Sequence, residues 1–60
     1  MQLLSEAQVL TVTGRYGVHP AFVKDWLDLL NTGQLNYDLG VRIATCDNYR
    51  DALHDLLEIR

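Results

Sequence analysis

Sixty residues suffice for one domain around one small core, and they exclude a second lobe or a cleft that closes over a substrate. Hydrophobic residues at 48% exclude a disordered tail, and charged residues at 22% are ordinary for a globular domain. Five Lys and Arg against eight Asp and Glu leave a net charge of −3, which argues against indiscriminate binding to phosphate backbones.

Charges of both signs are interspersed, so neither an acidic nor a basic tail is expected. Cys46 is the single cysteine and has no partner for an internal disulfide, which fits a reducing compartment. No apolar run approaches the roughly 20 residues of a membrane span. The start, Met1-Gln2-Leu3-Leu4, lacks the basic region of a signal peptide. A cytoplasmic, membrane-free chain is the expectation.

The first element opens on three agreeing helix-start signals. Ser5 is placed to cap, Gln8 to complete a capping box, and Leu4 with Val9 to form a hydrophobic staple. Val9, Val12 and Tyr16 follow along one helical face, although the run Val9-Leu10-Thr11-Val12-Thr13 is also β-compatible.

The second helix starts at Pro20, whose missing N–H is not needed in a first turn, and ends at Thr32-Gly33. Phe22, Val23, Trp26, Leu27 and Leu30 make its apolar face, with Ala21, Lys24, Asp25 and Asp28 opposite. Leu29 is expected to point away from the face centred on Val23 and Trp26.

From Gln34 to Ala44 the period changes. Leu35, Tyr37, Leu39, Val41 and Ile43 alternate with polar residues or glycine, which predicts extended structure. A turn at Asp38-Leu39-Gly40 makes it a short β-hairpin, Leu35–Tyr37 against Val41–Ile43. The competitor is a helix capped by Asn36, which Gly40, Val41 and Ile43 disfavour. A last helix, capped by Thr45 or Asp47, runs from Asn48 to Glu58. It turns Tyr49, Ala52, Leu53, Leu56 and Leu57 inward and Asp51, Asp55 and Glu58 outward.

Nothing in this order assembles a catalytic group. Ser5 is accounted for as a cap, and His54 shares a solvated face with Asp51 and Asp55. His19, Cys46 and His54 have no metal-ligand spacing, and the glycines fall at turns rather than in a phosphate loop. No enzyme activity, metal, cofactor or small-molecule substrate is expected.

One constellation stands out: Gly17-Val18-His19-Pro20-Ala21-Phe22-Val23-Lys24-Asp25-Trp26. It has the parts of a helix-turn-helix. The glycine takes a backbone angle that a Cβ resists, Val18 plugs the gap between helices, and Val23 and Trp26 clamp the second helix to Val12 and Tyr16 of the first.

Arg15-Tyr16-Gly17-Val18-His19-Pro20, followed by Val23 and Trp26, resembles the helix-turn-helix of transposase and excisionase proteins. By pattern the resemblance extends over roughly residues 4 to 58, to the excisionase-type, MerR-like winged-helix family. It implies a mainly α fold with a β-hairpin wing and a C-terminal helix, in a single domain spanning residues 1–60. It also implies a DNA-binding regulator of transcription or recombination. On that reading Lys24 on the second helix and Arg42 on the wing contact DNA, Arg15 and Arg50 touch backbone, and His19 sits near base edges.

The sequence departs from that family where the groove would be read. Asp25 and Asp28 lie on the exposed second-helix face, and Asp38 lies near the wing tip, where carboxylates repel phosphates. The alternative is an acidic protein-binding module, an inhibitor or adaptor that keeps the helix-turn-helix shape. Surplus apolar surface at Phe22, Leu29 and Leu30 then marks a contact with a protein partner or a second copy.

Overall fold

The computed structural model describes residues 3–60, so the reading of the start at Met1 and Gln2 lies outside the described residues. Four helical segments follow one another: α1 (Glu6–Arg15), a second helix of composite make-up, α3 (Tyr37–Thr45) and α4 (Asp47–Ile59). The composite begins as a 3₁₀ turn (Pro20–Phe22), continues as α2 (Val23–Leu27) and widens into a π-helical turn (Asp28–Thr32).

α1 starts as its sequence directs. The Ser5 hydroxyl accepts from the Gln8 N–H at 3.2 Å, and the Gln8 side chain accepts from the Ser5 N–H at 2.9 Å. Two orphan donors of the first turn are thereby satisfied. Leu4 and Val9 both enter the core. The β-branched run stays helical because Val9 and Val12 are buried on one face, while the buried Thr13 hydroxyl donates to the Val9 carbonyl at 2.7 Å. Leu4 is also held from the far side, because Asn31 accepts from its N–H at 2.9 Å and donates to its carbonyl at 3.0 Å.

Gly17 has φ +70°, the left-handed geometry expected between the first two helices. Val18 beside it is buried, and Trp26 is fully enclosed, whereas Val23 only packs against the core from its edge. Trp26 stacks on Tyr49 of α4, with ring centroids 6.3 Å apart and planes 20° apart. α1 packs on α2 and α4, and α3 packs on α4.

The β-hairpin wing expected over residues 34–44 does not form. Among the described residues there is no strand, and Tyr37–Thr45 is a helix. Asn36 caps it, its side-chain oxygen accepting from the Asp38 N–H at 2.9 Å and the Leu39 N–H at 3.3 Å. Asp38 in the first turn and Arg42 in the last match the helix dipole.

The physical reason lies in what each alternative leaves unpaired. A lone two-stranded hairpin with no third strand is marginal in water, whereas a capped helix closes its own backbone bonds. The period-2 set also contains a helical ladder. Leu39 and Ile43, four apart, turn inward, while Tyr37 and Val41 turn outward. Gly40 fits because Leu35 lies over it, so that a Cβ there would sit 3.2 Å from a Leu35 methyl.

Two smaller expectations are also corrected. Neither Thr45 nor Asp47 caps α4: Cys46 holds the cap position without a side-chain bond, and the Thr45 hydroxyl donates back to the Val41 carbonyl at 2.8 Å. Leu57, expected inside, is exposed near the chain end.

Candidate functional site

Of the residues expected to meet DNA, His19 caps a helix and Lys24, Arg42 and Arg50 engage other side chains. The Nδ1 of His19 accepts from the Ala21 N–H at 3.0 Å, so this side chain caps the second helix. Lys24 donates to Asp28 one turn on at 3.2 Å, with both groups in solvent. Arg50 pairs with Asp47 on α4. Arg42, placed on α3 instead of a wing, lies over the Phe22 ring at 5.0 Å and 5.8 Å from the Tyr49 ring. Arg15 ends α1 beside a shallow surface hollow that also involves Ile59.

The residues expected at a protein interface are placed unequally. Leu30 is 2% exposed and belongs to the chain's own core, which removes it from any contact surface. Phe22 is half-buried, set edge-on to Tyr49 at 5.9 Å and covered by Arg42. Leu29 does not point away from the fold. It packs against the core, three residues after the buried Trp26, a spacing that sets it at the edge of the same helical face.

Asp55 is likewise not a plain member of a solvated stripe. The Tyr16 hydroxyl donates to its carboxylate and ties the end of α1 to α4. Next to it, Asn48 donates to the Tyr16 carbonyl at 3.1 Å. The hydrogen bond to Asp55 raises the Tyr16 pKa above its usual 10.0, reinforced by desolvation and by the negative charges of Asp55 and Asp51, while Arg15 opposes the rise. The folded state therefore holds this proton more tightly than the unfolded chain. Its contribution to stability is fully present below the unfolded value of 10.0 and is lost as pH rises through the folded value. Denaturant titrations between about pH 8 and 11 are expected to show this alkaline loss, and Tyr16→Phe is expected to diminish it; an undiminished loss in the variant contradicts the assignment.

What the fold does bring together is apolar surface on and around α3. Tyr37 is 81% exposed, Leu35 55% and Val41 43%. Leu35, Asn36, Tyr37, Gly40, Val41 and Ala44 line one hollow of about 460 Å³. A second, of about 290 Å³, shares Leu35 and Gly40 with it and runs on over Leu29, Ile43, Leu53 and Leu57 to Arg60. The two form a continuous apolar face along α3 and the ends of the second helix and α4. On the other flank of α3, Tyr37 and Val41 join Asp38, Arg42, Thr45, Cys46 and Phe22 around a more polar hollow of about 480 Å³.

The hairpin expectation places Leu35, Tyr37 and Val41 on one sheet face with Leu39 and Ile43. A helical wheel begun at the Asn36 cap separates the buried pair from the exposed one, and that is the signal the sequence carries. Among the described residues no three His, Cys, Asp or Glu side chains converge as a metal set, and no helix is long and apolar enough to cross a membrane. Compared with protein-family models, curated proteins and solved structures, the chain matches none.

Proposed function

We propose that this chain is a non-enzymatic protein-interaction module that docks a polypeptide on the apolar face of α3. The observation that carries the reading is the row Leu35, Tyr37 and Val41, large apolar side chains exposed side by side on and beside one short helix. Scattered exposed apolar residues need no explanation, but a contiguous set continuing into a second apolar hollow is the usual mark of a protein contact. A tyrosine at its centre suits such a surface, since it offers a large, stiff contact area with a polar tip.

Electrostatics support the same choice over DNA. Lys24 and Arg50 are each paired with a carboxylate, Arg42 rests on two rings, and the net charge is −3. A phosphate backbone requires a concentrated cationic stripe.

The test places a photo-activatable cross-linking side chain at position 37, with position 11 on the exposed side of α1 as control. Polypeptide adducts at 37 and none at 11 are expected, and duplex DNA at low salt is expected to show no binding that depends on Lys24. Absence of polypeptide adducts at 37, together with duplex binding lost on Lys24→Ala, overturns the proposal in favour of a DNA-binding role.

A further inference from the structure

The exposed face of α3 carries charges in an order that fits itself. Asp38 lies in the first turn and Arg42 in the last. Both line the same flank as Tyr37 and Val41. Among the described residues neither makes a salt bridge within the chain, although Lys24 and Arg50 both do. We propose that the α3 face is covered by α3 of a second copy of this chain, running antiparallel about a two-fold axis that passes between Gly40 and Val41. The inference rests on reading that face as a protein-docking surface and names its occupant.

A two-fold at that point pairs Tyr37 with the partner's Ala44, a large side chain with a small one, and sets Val41 against the partner's Gly40 with Leu35 lying over it. It also brings Asp38 beside the partner's Arg42, offset by one residue or about 1.5 Å along the axis. Because the axis is perpendicular to both helices, the two Asp–Arg pairs lie on one flank. The apolar hollow by Leu35 and Leu57 lies on the other. Such an isologous contact requires one patch to be self-complementary in shape and charge. The Arg42 guanidinium lies over the Phe22 ring without a carboxylate among the described residues, so its N–H donors can meet one from a partner. A parallel arrangement, with its two-fold along the helices, would instead carry the two charged flanks to opposite sides and leave Asp38 and Arg42 without each other.

A nine-residue helix is only about 13 Å long, so the contact is smaller than the roughly 800 Å² per partner of a standard interface. The association is therefore weak and concentration-dependent. The experiment is sedimentation equilibrium of the full chain from low micromolar to about 1 mM. A reversible monomer–dimer equilibrium is expected. Asp38→Arg and Arg42→Asp should each weaken it at least about tenfold by setting like charges together. An equimolar mixture of the two variants should recover the parent's affinity. In the mixed dimer, the chain with cations at both positions faces the chain with carboxylates at both.

Circular dichroism confirms that each variant is folded. Ala44→Arg, at an exposed position, provides a second disruption that leaves the Arg42 stacking intact. A parent that stays monomeric throughout, or a mixture that fails to recover, overturns the second-copy assignment. Adducts from position 37 to a different polypeptide, with the parent monomeric, overturn the second copy alone. Absence of any polypeptide adduct there overturns the docking surface as well.

Discussion

Trp26→Ala is expected to abolish the cooperative fold or to lower its midpoint by at least about 12 °C, measured by far-ultraviolet circular dichroism. Trp26 has no solvent exposure and sits where α1, the second helix and α4 meet, stacked on Tyr49. Truncating a buried tryptophan to alanine costs about 3–5 kcal/mol, from lost burial and from the cavity that remains. A chain this small lies near the low end of the usual range of roughly 5–15 kcal/mol of total stability, so the loss is most or all of it. Trp26→Phe is expected to cost far less, about 1–2 kcal/mol. An aromatic ring remains, and the indole Nε1, which is buried without a hydrogen-bond partner among the described residues, is removed. A Trp26→Ala chain that melts at the parental temperature would falsify the placement of this side chain at the centre of the core.

The second large effect is expected within α3 and distinguishes helix from hairpin. Leu39→Ala should cost about 2–5 kcal/mol, because the side chain is fully buried on the helix that packs against α4. Val41→Ala, two residues on, should cost less than about 0.5 kcal/mol, since its side chain is exposed and alanine is the better helix former. In a strand, residues 39 and 41 share a face and would lose comparable amounts. Urea denaturation of the two variants reads this difference directly, and equal losses would mean that α3 is not the helix described.

The docking face and its pairing rest on this packing. Because α3 spends Leu39 and Ile43 on the core, its Tyr37 and Val41 are left outside, and the docking face follows. Were the stretch a hairpin, Arg42 would stand on a wing, as the resemblance to excisionase-type proteins implied. On α3 it lies over Phe22 instead, and it shares a flank with Asp38.

Local chemistry was legible in the residues themselves. The Ser5 and Gln8 capping box, the left-handed Gly17, the end of the second helix at Gly33 and the burial of Val18 and Trp26 all follow from patterns within a few residues. Short-range geometry of this kind depends little on the rest of the chain. Three features did depend on it. Residues 35 to 43 satisfy a period of 2 and an i, i+4 ladder at once, and the ladder prevails because the Asn36-capped helix closes its own backbone bonds and packs on α4. Leu29, at the edge of the second helix, is part-buried because α3 and α4 bring Ile43 and Leu53 alongside it. Asp55 leaves its solvated stripe because the end of α1 arrives with Tyr16 to bond it. The sequence by itself determined where the first two helices start, where the second stops and which residue anchors the core. The tertiary structure decided which apolar residues remained in water, because that depends on which surfaces the neighbouring helices have already covered.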